Sequence, residues 1–281
     1  MLVRMKELLQ EAAEANHAIP AFNVFGYEDA IAAVRAAEEL DAPVILATNP
    51  GAVQHMPIPY LAPLLVQIAR DAKVPVVVHL DHGKSLDYAA MAIAHGYTSV
   101  MFDGSQLPLE ENIRLTREVV ELAAKQGITT EAEIGSVGYS DPSMNMKHEY
   151  SDPDEVKRFV AETGIDAVAV SIGTVHRMEE QGANIDYDLL ERIEARVRTP
   201  LVLHGSTGVR DEDLRRLAAT RIAKVNIGTA LRMAFGRTMR QEMENNPSEF
   251  DRIRLFQQPM EAVKQAALRK FEVLGWARGS T

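Results

Sequence analysis

In the stretch VPVVVHLDHGKS, residues 74–85, a run of apolar residues leads into three titratable side chains and a glycine. The apolar run is typical of a strand that is buried on both faces, as in a parallel sheet. His79, Asp81 and His82 would then stand near the carboxyl end of that strand. They form either a satisfied buried polar cluster or a set of functional groups that the strand carries to the edge of the sheet.

Similar apolar runs recur along the chain and alternate with segments whose apolar residues have helical spacing. The predicted strands cover residues 18–25, 43–48, 74–81, 99–104, 129–135, 167–173, 200–206 and 222–229. Eight βα units in 281 residues predict an α/β fold, a single (β/α)8 TIM barrel over residues 1–281. An open doubly wound sheet is less consistent with the sequence, because neither a dinucleotide fingerprint nor a phosphate-loop lysine motif follows the first strand.

Residues 245–281 are predicted to form a C-terminal helical segment after the barrel. Its last helix covers QPMEAVKQAALRKFEVLG, residues 258–275. Phe271, Leu274 and Trp276 offer an apolar surface for an interface between copies of the chain, although Trp276 would equally pack against its own barrel.

Composition excludes several classes of function. The net charge of -10 argues against sequence-independent binding to nucleic acid or to an anionic membrane. The chain has no cysteine, so a metal would have to be held by His, Asp or Glu. No apolar run approaches the length of a membrane span, and the amphipathic N-terminal segment is unlike a signal or transit peptide. A cytoplasmic location is therefore expected.

Polar side chains stand at the carboxyl ends of nearly all the predicted strands, where barrel enzymes place their active sites. They are Asn23, Asn49, Asp81, His82, Asp103, Ser105, Glu133, His176, His204, Asn226 and Thr229. A cap or a core hydrogen bond would explain any one of these histidines alone. Together, His82, His176 and His204 favour a catalytic metal site of the zinc type with an open position, with cobalt, iron or manganese as weaker alternatives.

Asp81 adjoins one of the candidate metal ligands. Its carboxylate would act as a general acid or base near a metal-bound oxygen, or would orient a histidine ligand through a hydrogen bond. His79 shares a strand face with Asp81 but lies one layer deeper, so it is predicted to belong to the barrel core.

Two glycine-containing stretches indicate an anion site. HGSTG (204–208) and NIGT (226–229) follow the last two predicted strands, where barrels often bind phosphate through glycine amides and hydroxyls. The same small residues also suit tight turns, so phosphate or carboxylate binding is one of two interpretations.

The longest motifs resemble one known family over nearly the whole chain. They are HLDHGKSLDYAAMAIAHGYTSVMFDGSQLPLEENI, EAEIGSVG, YSDPDEVKRFVAETGIDAVAVSIGTVH, LVLHGSTG and KVNIGTALRMAF. The chain resembles the class II (metal-dependent) fructose- or tagatose-bisphosphate aldolases. The resemblance implies a (β/α)8 barrel, a zinc ion, and reversible aldol cleavage of a ketose phosphate to dihydroxyacetone phosphate and an aldehyde. It also implies a homodimer or homotetramer.

The resemblance assigns roles to particular positions. It places the zinc ligands at His82, His176 and His204, the acid/base residue at Asp81, and a glutamate close to the metal at Glu133. It places a further acid/base residue near Asp141, although Asp141 and Pro142 would equally form a turn. The candidate substrate-binding residues are Asn23, Asn49, Arg177, Gly205, Ser206, Thr207, Asn226, Ile227, Gly228 and Thr229. The sequence leaves open whether another divalent metal takes the place of zinc and whether a monovalent cation binds as well.

Four departures from the family pattern lie close to the expected substrate. Arg177 replaces a glycine, Glu180 replaces a lysine, Ser206 and Thr207 replace a smaller pair, and Ala47 and Asn49 replace Gln and Ser. A glutamate in place of a lysine would repel a phosphate dianion. The guanidinium of Arg177 would restore a positive charge and suits phosphate or carboxylate equally, unless it forms an exposed ion pair with Glu179 or Glu180.

The sequence therefore predicts a metal-dependent aldolase whose ketose substrate differs from fructose 1,6-bisphosphate. An alternative is an aldolase for a carboxylated or non-phosphorylated ketol that Arg177 binds. A barrel metallohydrolase and a catalytically silent homologue are weaker alternatives, since no strand-end lysine is available for carbamylation and none of the expected site residues is missing.

Overall fold

The structure is a computed structural model that describes residues 1–140 and 147–276. Its strands are β1 Ile19–Asn23, β2 Val44–Thr48, β3 Val76–Gly83, β4 Ser99–Phe102, β5 Thr129–Ile134, β6 Gly138–Tyr139, β7 Ala167–Val170, β8 Val175–His176, β9 Leu201–Leu203 and β10 Ile222–Ile227. Its helices are α1 Met5–Glu14, α2 Tyr27–Leu40, α3 Pro50–His55, α4 Ile58–Asp71, α5 Leu86–Ala94, α6 Leu109–Ala124, α7 Pro153–Thr163, α8 Tyr187–Glu194, α9 Asp211–Ala218, α10 Thr229–Asn245 and α11 Arg252–Val273.

Eight parallel strands close into a barrel in the order β1, β2, β3, β4, β5, β7, β9 and β10, and β10 pairs with β1. This confirms the predicted fold, and each predicted strand overlaps one strand of the barrel. The barrel strands are buried along their whole length because helices cover them outside and side chains fill the interior. Among the described helices, none is both long enough and apolar enough to cross a bilayer.

The amino end of the barrel is closed by α1. Its apolar face consists of Met5, Leu9 and Ala12, which are fully buried in the interior cluster with residues such as Ile45 and Val202. The charged face of the same helix points outward, as expected for an amphipathic helix. Since this end is plugged, the carboxyl end is where a ligand can enter.

A small two-stranded sheet stands apart from the barrel. The strands β6 and β8 pair in parallel, with Tyr139 opposite His176. The sequence analysis placed His176 after the predicted strand at residues 167–173 and did not predict β8, because a two-residue strand has no periodicity that a sequence pattern could reveal. This pairing fixes the backbone of His176 at the mouth of the barrel.

The prediction of an apolar interface at the C-terminus is wrong. Phe271 and Leu274 are fully buried against the chain's own barrel, and Phe271 packs edge-on against Phe22 at 5.6 Å between ring centroids. Trp276 is partly buried, and its Nε1 donates to the carbonyl of Ala18 at 2.8 Å. The last helix, α11, also begins at Arg252 and therefore earlier than predicted. The apolar face of α11 is therefore packed against the chain's own barrel.

The end of β3 contains a bulge. The pairing of β3 with β4 shifts register between Leu80 and Gly83, and His82 has a left-handed backbone with φ 51°. Adjacent strand residues normally point to opposite faces, but here Asp81 Oδ1 and His82 Nε2 are 3.9 Å apart. The bulge thus brings both side chains to the barrel opening, and a non-glycine residue in this conformation is typical of functional sites.

Gly83 is required by this bulge, so Gly83→Ala is expected to destabilise the protein. A Cβ atom at this position would lie 2.6 Å from the carbonyl oxygen of Met101, which is backbone and cannot move away. We expect a loss of about 1–3 kcal/mol in the free energy of unfolding, as for other overpacked sites. Gly182→Ala is the matched control, because no atom of the described residues lies within 4 Å of its added Cβ. Equal urea midpoints for the two variants would contradict this account of the bulge.

Candidate metal centre and active site

A cavity of about 510 Å³ opens at the carboxyl ends of the barrel strands. The structure places nine of the ten predicted substrate-binding residues on its wall: Asn23, Asn49, Arg177, Gly205, Ser206, Thr207, Asn226, Gly228 and Thr229. Ile227 is the exception, because its side chain is fully buried in the core. Asp141 lies outside the described residues.

The three predicted histidine ligands converge beside this cavity. His82 and His176 line it, and His204 is fully buried. The ring centroids are 5.1 Å apart for His82 and His176, 4.6 Å for His82 and His204, and 5.9 Å for His176 and His204. One ring nitrogen from each lies within 4.8 Å of the others. These residues come from β3, from β8 and from the position after β9. The barrel therefore brings together side chains that are far apart in sequence.

Hydrogen bonds to carboxylates orient two of the three imidazoles. His82 Nδ1 donates to Asp103 Oδ2 at 2.7 Å, and His204 Nε2 donates to Glu131 Oε1 at 3.0 Å. The remaining nitrogens, His82 Nε2 and His204 Nδ1, face each other at 2.9 Å. Histidines that bind metals typically donate their second ring N–H to a carboxylate in this way.

Charge around the three histidines favours a cation. Burial would lower the pKa of His82, but the carboxylates of Asp81, Asp103 and Glu133 raise it to about 9. The pKa of His176 is well below its usual value, because of burial and then the neighbouring imidazoles. The imidazole of His176 is therefore neutral and can offer a lone pair to a metal ion. The carboxylates that favour a proton on His82 would equally favour a metal ion beside it.

A buried carboxylate oxygen of Glu133 supports the same conclusion. Oε1 of Glu133 accepts a hydrogen bond from the amide of Val137 at 3.1 Å. Oε2 lies 3.9 Å from His82 Nδ1 and has no hydrogen-bond partner in the part of the chain that the structure describes. Burial, followed by the charge of Asp103, raises the pKa of Glu133. Three imidazole nitrogens beside an unpaired buried oxygen fit a divalent cation.

Two asparagine amides hold the carboxylate of Asp81. Asn23 Nδ2 donates to Oδ2 at 2.7 Å, and Asn226 Nδ2 donates to Oδ1 at 2.9 Å. Burial would raise the pKa of Asp81, but the charges of His82, His204 and Lys224 hold it well below its usual range. Asp81 is thus ionised, fixed in orientation and on the cavity wall. Two residues predicted to bind substrate therefore also position this carboxylate.

Asp103 has a role that sequence reasoning did not assign. Its Oδ2 accepts from His82 and, at 2.6 Å, from Lys84 Nζ, while its Oδ1 accepts from the amide and hydroxyl of Ser105 at 3.1 and 2.7 Å. Burial would raise the pKa of Asp103, but His82 and Lys84 hold it far below its usual range. The sequence feature that could have identified this role is the position of Asp103 at the carboxyl end of a predicted strand.

Arg177 lies on the cavity wall in a left-handed backbone conformation with φ 60°. This conformation explains why the resemblance leads one to expect glycine there. The guanidinium carbon is 5.7 Å from the ring centroid of Tyr139, a residue that sequence reasoning missed. Within residues 1–140 and 147–276, Arg177 forms no ion pair, so the predicted pairing with Glu179 or Glu180 is not seen. Glu180 is exposed and is not part of the cavity wall.

The glycine-containing stretches line a further part of the cavity wall. Gly205 has φ 68°, and an added Cβ would lie 2.8 Å from the backbone carbon of Val175. Gly228 precedes α10, a helix of 17 residues whose amino end is capped by no side chain in the part of the chain that the structure describes. The free N–H groups there favour an anion. The hydroxyl of Ser206 is already used, because it donates to the carbonyl of Asn226 at 2.5 Å.

Two further residues line the cavity near β1 and β2. Asn49 Oδ1 accepts from the amide of Ala52 at 3.0 Å and so caps α3, which gives this predicted substrate residue a structural role as well. Arg232, which sequence reasoning did not identify, places its guanidinium carbon 5.3 Å from the ring centroid of Phe25.

Comparisons with known proteins agree with this geometry. The sequence profile of the family described as "Fructose-bisphosphate aldolase class-II" matches residues 3–278. The YdjI aldolase from Escherichia coli K12 is similar, with 34% identity over 99% of both chains and a TM-score of 0.86. A putative fructose-1,6-biphosphate aldolase from Coccidioides immitis has 30% identity over 98% of this chain and 97% of its own, with a TM-score of 0.87. Fructose-bisphosphate aldolase from Campylobacter jejuni has 21% identity over 99% of this chain and 96% of its own, with a TM-score of 0.82, and supports the fold.

Proposed function

The chain belongs to the class II fructose-bisphosphate aldolase family, and from this premise we propose that it is a zinc-dependent aldolase. The proposed reaction is the reversible cleavage of a ketose phosphate or bisphosphate to dihydroxyacetone phosphate and an aldehyde. The observation that carries this proposal is the convergence of three imidazole nitrogens beside the ionised carboxylate of Asp81.

His82, His176 and His204 would hold the zinc ion, and another divalent cation with affinity for imidazole would fit the same nitrogens. When bound, the cation supplies electrostatic stabilisation for the negative charge that develops beside the substrate carbonyl during cleavage. Assistance of the reaction by a monovalent cation stays a prediction from the sequence.

The carboxylate of Asp81 would accept the proton of the C4 hydroxyl during cleavage and return it during condensation. Its hydrogen bonds from Asn23 and Asn226 hold both oxygens in a fixed orientation. The second oxygen of Glu133 would accept a hydrogen bond from substrate or stabilise the cation. Asp141 is proposed as a second acid/base residue on the resemblance alone.

The proposed mechanism needs no Schiff-base lysine, and the nearby lysines have other partners. Lys224 is buried beneath the histidines and pairs with Glu131, and Lys84 pairs with Asp103 on the cavity wall. Cleavage should therefore respond to chelators and not to borohydride trapping.

The substrate phosphate would bind between the amino end of α10 and the glycine-containing turn after β9. Gly205, Thr207, Gly228 and Thr229 line this part of the cavity. An uncapped helix end and backbone amides are a common phosphate site.

A second candidate function is the cleavage of a carboxylated or non-phosphorylated ketol. The observation that favours it is the guanidinium of Arg177, which has no ion-pair partner among the described residues and whose planar fork suits a carboxylate as well as a phosphate. The alternative depends in part on Glu180, whose negative charge at the expected position would repel a phosphate. Glu180 is exposed and outside the cavity wall, so solvent screens its charge, and this weakens the alternative.

Arg177→Gly is expected to raise the KM for anionic ketoses about 10- to 100-fold, which corresponds to the loss of one charge-assisted hydrogen bond. Stability should change little, because glycine suits the left-handed backbone at this position. Arg177→Lys is the matched variant, since it keeps the charge and loses the planar fork. If the KM of Arg177→Gly lay within twofold of the KM of the wild-type protein, Arg177 would not bind substrate.

The reaction itself is tested by offering several ketoses to the zinc-loaded protein and measuring dihydroxyacetone phosphate. Fructose and tagatose 1,6-bisphosphate test the leading proposal, and a 1-phosphorylated ketose with a carboxylate at its far end is a third substrate. Release from either bisphosphate supports the leading proposal. Release from the carboxylated ketose without release from either bisphosphate would support the alternative. The proposal includes a homodimer or homotetramer and a cytoplasmic location.

A further inference from the structure

A buried ion pair lies inside the barrel, one layer below the three histidines. Glu131 on β5 and Lys224 on β10 are at most 1% exposed. Lys224 Nζ donates to Glu131 Oε1 at 3.1 Å and lies 2.8 Å from Oε2. The same Oε1 accepts from His204 Nε2 at 3.0 Å. The proposed mechanism uses neither member of this pair.

His79 completes the arrangement from the other side. Its Nδ1 is 2.8 Å from Ser99 Oγ, and the Ser99 hydroxyl is directed to Met5 Sδ at 3.7 Å. Nδ1 of His79 is therefore the donor, so its Nε2 presents a lone pair to Lys224 Nζ at 3.5 Å and lies 3.7 Å from Glu131 Oε2. The direction of hydrogen bonding of His79 and Ser99 is thus defined. Glu131 Oε2 is paired with the charge of Lys224 but has no hydrogen-bond partner among the described residues.

An interior that served only stability would not need these charges. The rest of the barrel interior is filled by residues such as Ala169, Met101 and Val202. Removing a carboxylate and an ammonium from water is costly, and apolar residues of similar size often stabilise a core as well as a buried ion pair does. The pair is therefore expected to act on the active site, where His204 is the candidate metal ligand that it contacts directly.

We propose that Glu131 is a positioning residue that holds His204 with Nδ1 directed toward the metal site, and that Lys224 keeps the Glu131 carboxylate in place. This inference rests on the metal site of the proposed function. Without an acceptor at Oε1, the His204 ring would be free to turn or to carry its proton on Nδ1, which would leave no lone pair for a cation.

Two double variants separate the acceptor from the ion pair. In Glu131→Gln with Lys224→Met, the amide oxygen still accepts from His204 Nε2, and the amide N–H can donate to the lone pair of His79. In Glu131→Leu with Lys224→Met, the charges are removed equally but His204 has no acceptor. Zinc affinity, measured by competition with a chromophoric chelator, should fall about 10- to 100-fold in the leucine variant, as for other outer hydrogen-bond partners of metal ligands. It should stay within about threefold in the glutamine variant, since the bond to His204 is preserved.

Equal zinc affinities for the two double variants would overturn the inference, even with the metal site itself intact. A second measurement covers the case in which the leucine variant does not fold. Nitrogen-15 NMR of histidine side chains in the unchanged, metal-free protein should show His204 protonated at Nε2, and protonation at Nδ1 would also overturn it. Failure of the unchanged protein to bind zinc would instead contradict the proposed function.

Discussion

The variant His176→Ala is expected to lose zinc and, with it, cleavage activity. We expect zinc affinity to fall by more than about 100-fold, beyond the loss that changes to the outer partners of metal ligands cause. This histidine gives the cleanest test, because the described contacts of its ring are with the other two histidines and Tyr139. His82 and His204 are tied into buried hydrogen bonds, so their removal would also perturb the fold.

The control for this variant is His55→Ala, which removes an exposed histidine at the end of α3. Zinc content after gel filtration, chelator competition and the rate of ketose cleavage should all be unchanged in the control. If His176→Ala retained zinc with the affinity of the unchanged protein, the three-histidine site would be wrong.

Asp81→Asn should abolish most of the catalytic rate while leaving zinc in place. The asparagine side chain has almost the same shape but cannot accept the proton of the C4 hydroxyl. Loss of a general acid/base residue commonly lowers kcat about 10²- to 10⁴-fold. The closest contact of Asp81 with a candidate ligand is 3.9 Å, from its Oδ1 to His82 Nε2, so zinc affinity should be affected much less.

The control for this variant is Asp188→Asn, which neutralises an exposed carboxylate in the first turn of α8. Steady-state kinetics and zinc content should be measured on both variants. A kcat for Asp81→Asn within threefold of that of the control would exclude Asp81 as the acid/base residue. Loss of zinc from Asp81→Asn would show that it acts mainly by orienting a ligand.

Much of the barrel and its rim follows from local sequence patterns. The apolar strands predict a parallel sheet, and the polar residue that ends each strand predicts the position of the site. His82 and His204 are identified in this way, since strand ends meet at one edge whatever their separation in sequence. The core role of His79 is also confirmed by its complete burial and its hydrogen bond to Ser99.

Other features depend on contacts that no local pattern contains. Glu131 and Lys224 stand on strands that are distant in sequence, and only closure of the barrel brings them together beneath His204. The apolar face of α11 indicates burial, but it does not say whether the chain's own barrel or another copy covers it. Arg177 is a similar case, because the positions of its described neighbours decide whether it pairs with Glu179 or Glu180.

Metal dependence of ketose cleavage is the most direct test of the central claim. The purified protein would be freed of metal with a chelator, and zinc would then be added in steps while the release of dihydroxyacetone phosphate from a ketose bisphosphate is followed. We predict no release from the metal-free protein and full activity at one zinc ion per chain. Release that persists in the metal-free protein, with chelator still present, would contradict the account.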